Sequence, residues 1–321
     1  MSRITKIWLI IAASLVIIGL IIFLLIMAQY NWDFSKLGTT KYETNTHNIS
    51  KDFNSISMAT DTADINFALA DDDNCSVECY EESKAKHSVV VNENTLSIKL
   101  VSKKAWYDYV GISFDSPKIT VYLPEREYIS LFIKSSTSDI KIPKDFKFKN
   151  IDISTSTGMI ANYASVLDLL KIKTSTGAIE TKNISAKAID LSVTTGNVTI
   201  SDAECDGDIK INVSTGNTNI TNTRSKNIIS NGSTGDILLK NVIATKRFNI
   251  ERSTGDVRFD GADADEIIVT TDTGDVTGSL LSDKVFITQT DTGRVDVPKT
   301  IIGGRCEITT DTGDIKITTV N

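Results

Sequence analysis

A Thr-Gly dipeptide recurs along the last two-thirds of this chain at intervals of 19 or 20 residues. One further copy, at 135–140, carries Ser138 in the place of the glycine. A period of this length is typical of repeat proteins, in which each repeat buries its apolar side against its neighbours. The period therefore constrains the fold more than any other feature. The nine glycines are Gly158, Gly177, Gly196, Gly216, Gly235, Gly255, Gly274, Gly293 and Gly313.

Aligning the copies on their glycines shows apolar columns on both sides of the turn. Residues seven and five positions before each glycine, and two and four positions after it, are apolar in most copies. Ser230 and Thr288 are exceptions before the turn, and Asn162, Thr181 and Gly278 after it. Apolar residues two positions apart indicate strands with one buried face, and glycine supplies a corner with positive φ.

These columns predict an all-β fold, a single-stranded β-helix (β-solenoid) of about ten coils, each 19–20 residues long. Successive coils would lie about 4.8 Å apart. Side chains such as Ile237, Val257 and Val276 should then be neighbours inside one core. A β-sandwich of hairpins is the alternative, but it does not require the same residue class at the same offset in every copy.

The first part of the chain predicts a membrane anchor. Residues 7–28 are apolar and uncharged, and they are long enough to cross a bilayer. Arg3 and Lys6 precede this segment and Asp33 follows it, so the positive-inside rule predicts a cytoplasmic tail at 1–6 and an extracytoplasmic remainder. A cleaved signal peptide is the alternative. We expect a single-pass protein of the cell membrane.

Between the anchor and the regular repeats we expect a polar tether at 29–45 and an irregular β region at 46–130, with the solenoid at 131–321. Within the irregular region, TDTADI at 60–65 resembles a degenerate repeat with Ala63 in the glycine position. Irregular terminal coils suit a capping role, because an uncovered solenoid end exposes apolar edges.

The segment KITVYLPEREYISLFIKSSTSDIKI at 118–142, followed by serial STG and DTGD turns, resembles a bacterial β-strand-repeat family of unknown function. Its members are often labelled adhesins by analogy, and it includes the membrane-anchored LiaG-like proteins of Gram-positive envelope-stress operons. The resemblance covers about 46–321 and implies an accessory or adhesin-like role in the cell envelope. It brings no catalytic or ligand residues to carry over.

Composition and residue placement narrow the function classes. The net charge of −7 argues against nucleic acid as a partner. Both histidines and all three tryptophans lie outside the repeats, so the coils lack an aromatic platform for sugars. We therefore predict a non-catalytic protein without a cofactor. A polysaccharide-active β-helix enzyme stays the alternative, which a carboxylate-lined groove would indicate.

Acidic residues accumulate around the last turns. Clustered oxygen ligands of this kind attract Ca²⁺, which makes an adhesive rod stabilised by Ca²⁺ a further alternative. The competing interpretation is a row of solvated acidic corners, in which Arg294 interrupts one column. The weak Ca²⁺ candidates are Asp272, Asp291 and Asp311, two positions before the glycine, and Asp275 and Asp314, one position after it.

An aromatic cluster and the cysteines are two further groups that could have a specific role. Trp106, Tyr107 and Tyr109 are either an exposed interaction tip or part of the cap core. Among the cysteines, Cys306 falls in an inward column, whereas Cys75 and Cys79 could pair only if a tight turn separated them.

The end of the chain suggests an interaction surface. The last turn, at Gly313, is followed by eight residues and no capping helix. We expect the coil around this turn to be the distal one, with an open strand edge. Residues 250–321 carry 14 acidic and 7 basic side chains. We predict that this acidic end contacts an envelope protein or another copy of the chain.

Overall fold

The structure, a computed structural model, describes residues 2–33, 40–104 and 115–320. One α-helix is followed by strands that share a single hydrogen-bonded system. The elements are α1 (Arg3–Gln29), β1 (Tyr42–Ile49), β2 (Ser55–Ala59), β3 (Asp64–Leu69), β4 (Cys75–Glu82), β5 (Ala85–Asn92), β6 (Thr95–Ser102), β7 (Lys118–Leu123), β8 (Glu127–Lys134), β9 (Ile140–Ile142), β10 (Lys147–Thr157), β11 (Ile160–Asn162), β12 (Ser165–Thr176), β13 (Ile179–Lys182), β14 (Ser185–Ala186), β15 (Ala188–Thr195), β16 (Val198–Cys205), β17 (Asp208–Thr215), β18 (Thr218–Thr234), β19 (Ile237–Thr254), β20 (Val257–Thr273), β21 (Val276–Leu280), β22 (Lys284–Thr292), β23 (Val295–Asp296), β24 (Gly304–Thr312) and β25 (Ile315–Thr319).

Helix α1 has 27 residues and is long and apolar enough to cross a membrane. Its most apolar stretch has a mean hydropathy of 3.3 and is not buried against the rest of the protein. At its start, the Ser2 hydroxyl accepts a hydrogen bond from the backbone N–H of Thr5, 3.2 Å away. Such an N-cap satisfies one of the four N–H groups that a helix leaves unpaired at its N-terminus.

The repeats form parallel strands that stack coil upon coil, which confirms the predicted β-solenoid of about ten turns. The strand register pairs Ile237 with Val257, and Val257 with Val276. All three side chains are buried in one continuous apolar core. The degenerate first copy is also confirmed, because Ile65 pairs with Ile140 two positions after their respective corners.

Each regular coil has three sides. The repeat pattern had predicted only two strands and one corner in each coil. A second corner lies six residues after the glycine, at positions with left-handed backbone angles. It is occupied by Asn183, Asp202, Asn222, Asn241 and Gly261, with φ between 49° and 66°. Asn, Asp and Gly are the residues that tolerate this conformation best. The third side beyond it buries small side chains such as Ala203, Ala244 and Ala264.

The last two copies stack in the reverse of their chain order, so the expected distal coil at Gly313 is wrong. The N–H of Gly274 donates to the carbonyl of Thr312, and the N–H of Gly313 donates to that of Thr292. Strand β24 therefore lies between β20 and β22, and β25 lies between β21 and β23. The terminal coil of the stack is the one at Gly293.

The N-terminal end shows a similar inversion. Strand β2 inserts between β6 and β8, and β3 inserts between β7 and β9. Beyond them, β4 pairs antiparallel with β7 and with β1, while β5 pairs antiparallel with β6. We call β1, β4 and β5 the lid, because these antiparallel strands cover the end of the parallel stack.

Candidate functional site

The turn glycines form a column along one corner of the solenoid. All nine have positive φ, between 125° and 157°. At Gly177 an added Cβ would lie 2.0 Å from the carbonyl oxygen of Gly158 in the preceding coil. The same clash recurs at Gly255 against Gly235, at 2.2 Å. Backbone conformation and close stacking thus both require glycine, so the role of this column is structural.

The residue after each glycine forms a second column, which explains much of the acidity. The Asp236 carboxylate accepts a hydrogen bond from the backbone N–H of Asp256 in the next coil, at 2.9 Å. Asp256, Asp275 and Asp314 repeat this contact along the stack at 2.7–2.8 Å. Asn197 and Asn217 do the same in earlier coils. We call this set the Asx ladder.

Arg294 is the last member of this column in space, although Asp314 follows it in the chain. Its N–H donates to the Asp314 carboxylate, at 2.8 Å. No described coil lies beyond Arg294 whose N–H its side chain would have to accept. A carboxylate is needed only where a following coil presents an N–H, so a cation fits the last position and offsets the charge of its neighbours.

The Ca²⁺ candidates two positions before the glycines are exposed on the outer surface. The pairing of β20, β24 and β22 places Asp311 between Asp272 and Asp291. In the other acidic column, one oxygen each of Asp275 and Asp314 already accepts an N–H. Binding of Ca²⁺ by these five carboxylates stays a prediction, which calorimetric titration with millimolar Ca²⁺ tests.

The distal surface is formed by the terminal coil and the loop after it, 284–302. Val295 is 45% exposed, Ile302 is 66% exposed and Ile301 is 93% exposed. Phe286, which belongs to an inward column, is only partly buried. Strand β22 pairs with β24 on one side, and its other edge has no partner strand in the described parts of the chain. No described strand lies beyond this end of the stack, whereas the antiparallel strands of the lid extend the opposite end.

A buried polar network occupies the lid. One carboxylate oxygen of Glu81 lies 2.7 Å from Nδ1 of His87, and the other accepts a hydrogen bond from the Asn45 amide at 2.8 Å. The Thr60 hydroxyl lies 2.9 Å from Nε2 of His87. Cys79, Glu81 and His87 are the one group of three potential metal ligands that converge within the described residues. Sequence analysis missed this group, because its members lie outside the periodic pattern.

An arginine lies inside the solenoid core. Arg252 is 3% exposed, and its guanidinium donates to the hydroxyls of Thr218 and Ser230, at 3.1 and 3.3 Å. An added Cβ at Gly232 would lie 2.2 Å from Nη1 of Arg252, so the glycine provides the room that the side chain occupies. Burial lowers the pKa of Arg252 to about 10. Ser230, an exception in the apolar columns, is therefore a partner of this charge.

All four cysteines are buried and free. Cys75 and Cys79 lie four residues apart on the extended strand β4, where their separation is roughly 13 Å, so a disulfide between them is impossible. Burial raises the pKa of the Cys79 and Cys306 thiols to about 12. Cys306 occupies the predicted inward column. Trp106, Tyr107 and Tyr109 lie outside the described residues.

The model of the family described as Toastrack DUF4097 matches residues 53–213 and 203–321. The chain belongs to the Toastrack DUF4097 family. The resemblance to a β-strand-repeat family of unknown function is thereby confirmed. No curated protein matches the sequence.

Several solved structures are similar to this chain at low sequence identity. One from Parabacteroides distasonis, described as a "putative adhesin", has 12% identity and a TM-score of 0.48, covering 85% of this chain and 98% of that one. A "putative lipid binding protein" of the same species has 17% identity and a TM-score of 0.47, covering 88% and 98%. A third, a "putative adhesin" of Bacteroides fragilis, has 15% identity and a TM-score of 0.43, covering 87% and 97%.

Proposed function

We propose that this Toastrack protein is a non-catalytic interaction module of the cell envelope. Helix α1 would anchor it in the membrane, with residues 1–6 in the cytoplasm and the solenoid outside. The apolar helix and the basic residues before it support this arrangement. Protease added to intact cells is expected to digest the solenoid and to spare an epitope tag placed before Arg3. Digestion of the tag together with a protected solenoid would contradict this topology.

The observation that carries the interaction role is the composition of the distal surface, which exposes apolar side chains and an unpaired strand edge. Such an edge is a template for pairing with another chain, and exposed apolar clusters mark contact sites. The distal surface would therefore bind an envelope protein or a second copy of this chain.

Photo-crosslinking in cells that carry the full-length chain tests this proposal. A photoreactive residue at Ile301, on the distal surface, is expected to give a crosslinked product. The matched control is Ile129, which is 45% exposed on the side of the solenoid. The mass of the product distinguishes an envelope protein from a second copy. Equal yields at the two positions, or none at either, would contradict a specific role for the distal surface.

An adhesive rod stabilised by Ca²⁺ is the second candidate, favoured by the parallel columns of carboxylates at the distal corner. A role in envelope stress rests on family resemblance alone. Genes for a two-component system beside this one would favour that role over adhesion.

A further inference from the structure

The residue types that bind transition metals are concentrated in the lid. The chain has two histidines and four cysteines. Both histidines, His47 and His87, and two of the cysteines, Cys75 and Cys79, lie on lid strands. The other two cysteines belong to coils of the solenoid.

Three donor atoms converge inside the lid. The thiol sulfur of Cys79, a carboxylate oxygen of Glu81 and a ring nitrogen of His87 lie within 4.8 Å of one another. Their residues are 0%, 1% and 5% exposed. Cys79 and Glu81 are two residues apart on the buried face of β4, so they point the same way. His87 comes from β5, across the turn that joins the two strands.

Neighbouring residues form hydrogen bonds with His87 and Glu81 in the way that residues around a metal site do with the ligands of the metal. With Nδ1 of His87 directed at Glu81, its Nε2 lies 2.9 Å from the Thr60 hydroxyl. The second oxygen of Glu81 accepts from the Asn45 amide. Metal-binding imidazoles and carboxylates typically have their remaining atoms hydrogen-bonded in this way, which orients them toward the ion.

The second histidine of the lid, His47, lies on the strand next to Cys79 and has a ring nitrogen without a hydrogen-bond partner among the described residues. His47 lies on β1 opposite Val77, and its register makes it a diagonal neighbour of Cys79. Its Nε2 is buried and has no hydrogen-bond partner among the residues that the structure describes. A buried imidazole nitrogen without a partner is unfavourable.

The donor set determines which ion would fit. A thiolate, an imidazole and a carboxylate suit Zn²⁺, whereas Ca²⁺ and Mg²⁺ prefer oxygen ligands alone. Zn²⁺ bonds of roughly 2.0–2.3 Å bring ligand atoms to within about 3–4 Å of each other. Small side-chain rotations of Cys79, Glu81 and His87 would reach that spacing. Binding would displace the thiol proton of Cys79 to solvent.

We propose that Cys79, Glu81 and His87 bind one Zn²⁺ ion that joins the β4–β5 hairpin of the lid. The ion would connect β4, which extends one side of the stack, to β5, which extends another. It would act as a structural clamp on the covered end of the solenoid. This site is independent of the distal surface, so either can fail without the other.

Metal analysis of the full-length chain in detergent tests the proposal. After incubation with Zn²⁺ and dialysis, we expect about one bound ion per chain and a rise in the melting temperature. With Co²⁺ as the probe, we expect an intense near-ultraviolet absorption from the bond between Co²⁺ and the Cys79 sulfur. Cys79→Ser should remove this absorption and reduce bound Zn²⁺ to background. His87→Gln and Glu81→Gln should reduce Zn²⁺ affinity at least tenfold.

Cys306→Ser is the matched control, because it makes the same change at a buried thiol outside the lid. This variant should keep its bound Zn²⁺ and its Co²⁺ absorption. Circular dichroism shows whether each variant is folded. A folded wild-type chain that takes up no stoichiometric Zn²⁺ would overturn the proposal and leave Glu81 and His87 as a hydrogen-bonded pair only. Unchanged Zn²⁺ binding by folded Cys79→Ser and His87→Gln would also overturn it.

Discussion

At the scale of single residues, Arg252 shows how one side chain explains several departures from the repeat. Its position holds Thr in five of the other eight coils with a turn glycine, such as Thr271 and Thr310, and Gly232 in the coil before it. Thr218 and Ser230 are polar residues at positions that are apolar in most coils, and the hydroxyl oxygen of each accepts a hydrogen bond from this guanidinium. Burying a charge is unfavourable unless hydrogen bonds compensate it. The three residues therefore form one polar unit within an apolar core.

Because these three residues depend on one another, we expect the effects of their replacement on the stability of the protein to be non-additive. Replacing both hydroxyls, as Thr218→Val with Ser230→Val, should destabilise the protein by about 3–5 kcal/mol, because the charge then stays buried without those partners. Adding Arg252→Met to that pair should recover most of the loss, since an all-apolar cluster needs no hydrogen bonds. Thermal unfolding followed by circular dichroism measures both effects.

The control for this coupling is Thr223→Val, which removes a buried hydroxyl that donates to the carbonyl of Thr221 and does not contact Arg252. It should destabilise the protein by about 1 kcal/mol, whether or not Arg252 is present. Additive effects of Arg252→Met and the Thr218–Ser230 replacements would show that the guanidinium does not depend on these hydroxyls.

At the scale of the coil, the Asx ladder sets a favourable contact against an unfavourable one. Each carboxylate accepts an N–H from the next coil, but successive carboxylates lie about 5 Å apart and repel one another. Asparagine provides the same acceptor without the charge, as Asn197 and Asn217 already do. Both residue types therefore serve the hydrogen bond, and only the aspartates introduce the repulsion.

We expect Asp256→Asn and Asp275→Asn together to raise the melting temperature at low ionic strength, because the repulsion is relieved and the N–H contacts are kept. Asp256→Ala should lower the stability by about 0.5–1 kcal/mol, since the N–H of Asp275 loses its acceptor. Added NaCl should stabilise the wild type more than the Asn double variant. An equal response of both chains to salt would show that repulsion along the ladder is unimportant.

At the scale of the whole molecule, the order of the last two coils follows from their side chains. Cys306, Ile308, Ile315 and Ile317 fill the apolar columns of the last copy and are at most 2% exposed. The preceding copy has a polar residue, Thr288, in one of these columns. The more apolar copy gains more from neighbours on both faces, so it occupies the internal position.

The reversed order of the last two coils predicts how truncated chains should behave. A chain that ends at Ile302 lacks β24 and β25, the strands that hold β22 and β23. We expect its residues 284–302 to be cleaved rapidly by protease. A shorter chain that ends at Ser282 should melt at the same temperature as the longer one or above it. Consecutive stacking would give the opposite result, in which the chain ending at Ile302 is protected and more stable.

Much of this architecture could be predicted from the residues alone. The period of the Thr-Gly turns and the columns at fixed offsets predict stacked parallel strands, because side chains at equal offsets must become neighbours when identical corners stack. The second corner could also have been predicted from the sequence, because Asn, Asp or Gly recurs six positions after five of the glycines. Helix α1 follows from length and hydropathy.

The order of the end coils and the lid network depended on the tertiary structure. The repeats have the same residue pattern and can stack in more than one order. The columns therefore predict which positions contact each other in adjacent coils, but not which copies are adjacent. The polar groups of Glu81, His87 and Cys79 come together because a hairpin folds back over the stack, and no local spacing encodes that fold. Periodic sequence thus determined the repeating unit, while competition among copies for burial decided their arrangement.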